Sequence, residues 1–193
     1  MADAPELISP AYRVPLSPEQ SQWLGVFVVM WGEIDYFMGL CIAAMLKTEI
    51  FAAETLMVNM TTGPRLNLFN KLAREKINDE NTKKLAKDFY ADLSGLIDKR
   101  NHILHGMWGF ETGSNPGNAV PAAYYSKAPD RPLLASELPN LLKDVSAQTH
   151  RIVAVFQHLI GASWKHDPAN PPTWYFGKGP PPSWLGGSSA PPA

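Results

Sequence analysis

Residues 23 to 46 read WLGVFVVMWGEIDYFMGLCIAAML, and this run restricts the chain more than any other. It follows SPEQ at 17 to 20, a helix start: Ser17 can cap, Pro18 suits the first helical position, and Gln20 can close a capping box. The helix then runs to about Leu46. Apolar residues at 24, 28, 31, 38, 42 and 45 keep a three-and-four spacing, one continuous stripe with a gap at Asp35. Val26, Met30, Phe37 and Leu40 make the opposite side apolar as well. A helix apolar on both sides needs cover from its own domain and from something else, such as a second subunit. Glu33 and Asp35 interrupt the run too early for a simple membrane span, so no membrane partner is expected.

Helical periodicity continues downstream. Shorter helices are expected over Ile50–Met60 and Pro64–Ile77. A fourth starts at NDEN, 78 to 81, and carries Leu85, Phe89, Leu93, Leu96 and Ile97 inward. Gly106 closes it as a left-handed cap residue. A last helix is expected over Ser136–Ala162. Between the last two helices, the SNPGN turn signal between aromatic and small residues predicts a β-hairpin within 107–127. The fold class is therefore all-α, an up-and-down bundle of about five helices with a small β insertion. Residues 1–16 form an N-terminal arm, 17–162 the helical domain, and 163–193 a Pro/Gly-rich tail too poor in core formers to fold alone.

Composition narrows the function classes. With 193 residues, 45% hydrophobic and 18% charged, the chain can bury a core of its own. A formal charge of −1 argues against a protein that coats DNA. Charge is uneven, however. Residues 65 to 100 hold nine Lys or Arg (Arg65, Lys71, Arg74, Lys76, Lys83, Lys84, Lys87, Lys99, Arg100) against six acids. A solvated helical face is the simpler reading of that segment, and a local positive face the other. Cys41 is the sole cysteine, which excludes an internal disulfide and a cysteine-based zinc cluster. No basic start followed by an apolar run marks a signal peptide, so a cytoplasmic location is expected. No metal-binding pattern or phosphate loop is present, and no cofactor is expected.

KRNHILHG, 99 to 106, reads either as a piece of chemistry or as the ordinary end of an amphipathic helix, with a terminal arginine and a capping histidine. Leu93, Leu96 and Arg100 succeed one another at three and four residues, which places Arg100 on the apolar stripe of its helix. A buried guanidinium needs a partner, and Asp35 poses the opposite problem on the first helix, so the two are expected to pair or share a polar pocket. His105 lies about 140° round the helix from Arg100 and meets it only if the helix ends there. An imidazole can give or take a proton near neutral pH, the helix C-terminus favours its charged form, and an arginine can hold the charge of a pentacoordinate phosphate. Asn101 adds a neutral donor and acceptor. His102 has the wrong spacing and reads as a helix-surface residue; Trp108 and Phe110 read as hairpin packing or as a stacking platform for an RNA base.

An all-helical domain whose late helix ends in Arg-Asn-x-x-x-His resembles the HEPN superfamily (higher eukaryotes and prokaryotes nucleotide-binding). Arg100, Asn101 and His105 match its signature, and the WGEID stretch resembles members with an acid on the first long helix, Asp35 being better placed than Glu33. The resemblance implies a homodimer with both Arg–His pairs facing one cleft. It implies a metal-independent endoribonuclease of the kind used in toxin–antitoxin, phage-defence or RNA-processing systems. Arg100 would stabilise the scissile phosphate, His105 act as general acid/base, Asn101 orient, and Asp35 and Glu33 support. Other members bind RNA, nucleotides or a partner protein without cleaving, so an antitoxin-like partner is also within what the resemblance implies. The third reading from the residues alone is a structural dimer in which Arg100 and Asp35 only lock the fold.

Overall fold

The computed structural model describes residues 15–111 and 119–161. The SNPGN turn and the 163–193 tail lie outside the described residues. Within them the chain is mostly helical: α1 Pro18–Leu46, α2 Ile50–Met57, α3 Thr62–Lys76, α4 Glu80–His105 and α5 Leu138–Leu159, with strands β1 Met107–Glu111, β2 Val120–Tyr125 and β3 Ala128–Leu134.

Caps set the helix ends. Ser17 accepts from the Gln20 amide at 3.1 Å while its own N–H donates to Gln20 Oε1 at 2.9 Å, a complete capping box. Lys47, with φ 54°, turns the chain out of α1 in the left-handed region. Asp79 caps α4, its carboxylate accepting from both the amide and the hydroxyl of Thr82 at 2.7 Å.

The buried stripe of α1 runs Phe27, Trp31, Ile34, Met38, Cys41 and Met45. This differs from the expected register. Val28, assigned to the stripe, is 44% exposed, and Asp35 sits beside the core stripe instead of in a gap within it. Two-sided burial holds only in the second half, where Phe37, Leu40 and Ala43 are also covered. In the first half Val26, Val28 and Val29 stay exposed. By length and composition alone α1 could cross a membrane, although half of its most apolar window is buried inside the fold.

α1 packs chiefly on α5, with Phe37 against Phe156 and the Cys41 thiol reaching the Ile152 carbonyl at 3.9 Å. Burial pushes that thiol above its ordinary range, as expected for an inert core cysteine. α3 packs on α4 through the edge-to-face pair Phe69–Phe89, both fully buried, with centroids 5.3 Å apart. Arg151 of α5 pairs with Asp92 of α4, and the buried Gln148 adds a 3.5 Å bond to the same carboxylate.

The insertion is a three-stranded antiparallel sheet, β1-β2-β3, larger than the hairpin the sequence predicts. β3 contains Pro129 and Pro132, which disguise it as loop; prolines are tolerated there because β3 is an edge strand. Ala122 and Ala123 of β2 are fully buried and bring the sheet onto the end of α4. Gly106 at that junction is not left-handed as expected: φ is −78° and ψ 155°. Glycine is required for a different reason. A Cβ there would stand 2.1 Å from the His102 carbonyl oxygen and 3.0 Å from that of Tyr124, so two stretches of backbone cross too closely for any side chain.

Candidate functional site

α4 stays helical through His105, so the histidine does not swing back over a broken turn. The long arginine arm closes the gap instead. Arg100 Nη1 lies 3.1 Å from Asn101 Oδ1 and 2.9 Å from His105 Nε2. Arginine has no acceptor, so His105 Nε2 must be the unprotonated nitrogen, with the ring proton on Nδ1. Both hydrogens of Nη1 are spent on these two neighbours. The Nη2 hydrogens make no protein hydrogen bond among the described residues. Arg100 itself is half-buried and its Nε is buried without a partner, whereas His105 is exposed. A rigid, partly desolvated guanidinium thus presents one free edge beside an accessible imidazole.

Asp35 does not form the expected ion pair with Arg100. The ion pairs among the described residues are Lys83–Glu80, Lys84–Asp88 and Arg151–Asp92. Asp35 is instead half-buried with the Thr62 hydroxyl donating to it at 3.3 Å. Burial raises its carboxyl above the ordinary range, and the Arg65 charge, the Thr62 hydrogen bond and then the Arg100 charge oppose the rise. Arg65 is therefore the cation that matters most to Asp35. It bridges from α3, its Nη2 donating to the carbonyls of Met57 at 3.3 Å and Met60 at 3.5 Å. Asp35, Tyr36, Gly39, Glu54 and Arg65 line a cavity of about 340 Å³ at the α1–α2–α3 junction. Arg65 was missed from the sequence; its only signal was its place beside the inward Leu66 and one turn after Thr62. Glu33, the other supporting acid, is exposed on α1.

His102 also departs from expectation. It is 5% exposed, its Nδ1 donates to the Asp98 carbonyl at 2.8 Å, and its ring meets Tyr125 edge to face. Its Nε2 is buried with no partner. β2 covers that side of the helix end, which spacing along one helix cannot reveal. Trp108 is half-buried against the core while Phe110 is 56% exposed, so of the two only Phe110 offers an open ring. His150 and His158 are exposed, each bonded through Nδ1 to a carbonyl four residues earlier on α5. Among the described residues no three His, Cys, Asp or Glu side chains converge as a metal site.

Comparison with protein-family models, characterised proteins and solved structures yields no match, so the chemistry must be read from these residues alone.

Proposed function

We propose that the protein is a metal-independent endoribonuclease of HEPN type, acting as a homodimer. The observation that carries the reading is the contact of Arg100 Nη1 with His105 Nε2, which keeps a basic nitrogen beside a guanidinium with an unspent edge. In this scheme one His105 takes the proton of the RNA 2′-hydroxyl as the 2′-oxygen bonds to phosphorus. The bond from phosphorus to the 5′-oxygen breaks, and that oxygen takes a proton from the His105 of the second protomer in its charged form. Arg100 Nη2 meets the charge that builds on the phosphoryl oxygens, and Asn101 holds Nη1 in place. The exposed Val26, Val28 and Val29 of α1, and Met107 and Phe110 just beyond the motif, support a partner surface of this kind.

One observation favours a second reading, a non-catalytic module that binds RNA, nucleotides or a partner protein such as an antitoxin. The lone pair of Nε2 is already occupied by Arg100, so the base is masked until a phosphate draws the arginine away.

Incubation with total RNA in EDTA, followed by sequencing of fragment ends, separates the two. Cleavage leaving 2′,3′-cyclic phosphates, lost in His105→Ala, is the expected result. No cleavage by the wild-type dimer, or full activity in that variant, would overturn the nuclease reading.

A further inference from the structure

Asn70, Ala73 and Arg74 of α3 and Lys83, Lys87, Tyr90 and Ala91 of α4 line one cleft of about 480 Å³. Three cations from two helices meet there, and no carboxylate is among the lining residues. Along the chain the same segment looked like a solvated face, because acids alternate with the lysines. Folding sorts them in part. Asp88 is held by Lys84, which does not line the cleft, whereas Glu80 pairs with the lining Lys83. Arg74 and Lys87 have no ion-pair partner among the described residues. A cleft lined by one sign of charge concentrates its field and draws in an anion.

The lining is not only cationic. Tyr90 lines the cleft half-buried, with its hydroxyl fixed by a 3.2 Å bond to Asn67 Oδ1. Ala73 and Ala91 add no bulk beside it. A fixed aromatic ring with small neighbours and flanking cations is what an unpaired base and its phosphates require. α4 also connects this cleft to the motif. Lys87 and Arg100 are separated by about 20 Å along α4, at 1.5 Å per residue, and by about 140° around it, so a strand that reaches both must wrap the helix.

We propose that the α3–α4 cleft is a binding track for single-stranded RNA, with Arg74 and Lys87 on phosphates and Tyr90 under a base. Which strand it serves rests on the nuclease reading above: the track holds RNA whose scissile phosphate lies at Arg100. Its binding role is separable from cleavage.

The test uses the full chain and a fluorescein-labelled 2′-O-methyl oligouridylate, which lacks the attacking hydroxyl and survives any nuclease. Anisotropy titrations at several salt concentrations give affinity and its salt dependence. Arg74→Gln with Lys87→Gln should weaken binding about 10-fold or more and lower the log–log salt slope by about 1.4, at roughly 0.7 per lost phosphate contact. Tyr90→Leu should weaken binding about 5-fold or more with the slope unchanged. Lys84→Gln removes one positive charge away from the cleft and should stay within about 2-fold of wild type. Equal losses in Lys84→Gln and the double variant would overturn the proposal, as would polyglutamate or duplex RNA competing as well as the single strand. Wild-type binding that depends on the cleft, in a protein that cleaves nothing, would keep the track and remove the nuclease. Cleavage dependent on His105, with binding indifferent to the cleft variants, would do the reverse.

Discussion

His102 and Tyr125 meet edge to face with ring centroids 5.6 Å apart, and this contact seals the end of α4 against β2. It identifies which imidazole of the motif is structural. The Nε2 of His102 is buried and unsatisfied, a cost that an apolar ring would not carry. His102→Phe keeps the contact with Tyr125 and removes the orphan nitrogen. Stability should stay within about 1 kcal/mol of wild type or rise, and RNA cleavage should persist. Urea denaturation and a cleavage assay check both. Loss of cleavage in a well-folded His102→Phe protein would transfer the chemistry from His105 to His102.

His102, expected on the helix surface and found buried, shows what could and could not be read in the chain. The helix starts at Ser17 and Asp79 were legible because capping is local: the cap and its partner are three residues apart. The motif was legible because Arg100, Asn101 and His105 share one helix end. The burial of His102 and the weight of Arg65 on Asp35 were not, since both depend on elements brought in from elsewhere in the chain. β3 was hidden by its prolines. The true core stripe of α1 was hidden because the helix is apolar all round, which leaves several registers equally good on paper.

Two aspartates should respond to pH in opposite directions. Burial holds the Asp35 carboxyl above its ordinary range, and the attractions of Arg65 and Arg100 only partly offset this. Its charged form therefore costs stability at neutral pH, and the cost vanishes below the unfolded value of about 4. Asp35→Asn should raise Tm at pH 7 and lose that advantage near pH 4. The Thr82 hydrogen bonds hold Asp79 below the ordinary range, so its contribution is present above about 4 and disappears as pH falls through the lower folded value. Asp79→Ala should lower Tm at pH 7, with the deficit shrinking in acid. Thermal melts across pH 3 to 7 decide it. A drop in Tm for Asp35→Asn at pH 7 would mean that the arginine attraction outweighs burial.

Among the described glycines, Gly106 has the closest neighbours. The atoms a Cβ would meet are backbone carbonyl oxygens of His102 and Tyr124, which cannot move aside as a flexible side chain can. Gly106→Ala should cost about 3 kcal/mol or more, in spite of a φ of −78° that alanine adopts freely. Gly39→Ala is the control: its Cβ meets only the Met57 methyl at 3.5 Å, and a helical Gly-to-Ala exchange should stabilise by about 0.5–1 kcal/mol. Denaturant midpoints for the pair give the comparison, and similar midpoints would show that the crossing at Gly106 relaxes easily.

The shared hydrogen bond between Arg100 and His105 makes a kinetic prediction sharper than loss of activity. Arg100→Lys preserves the charge but gives up the planar fork that reaches Asn101, His105 and a phosphate together. Its kcat should fall about 100-fold or more. His105→Ala should fall by about 100- to 10,000-fold. Under the proposed mechanism the arginine positions the nitrogen that moves the proton, and removing both should cost little more than removing the histidine alone. Single-turnover cleavage of a labelled RNA by the two single variants and the double variant measures this directly. If the two losses multiplied, the guanidinium and the imidazole would be acting independently, and the contact between them would be a packing detail of the helix end.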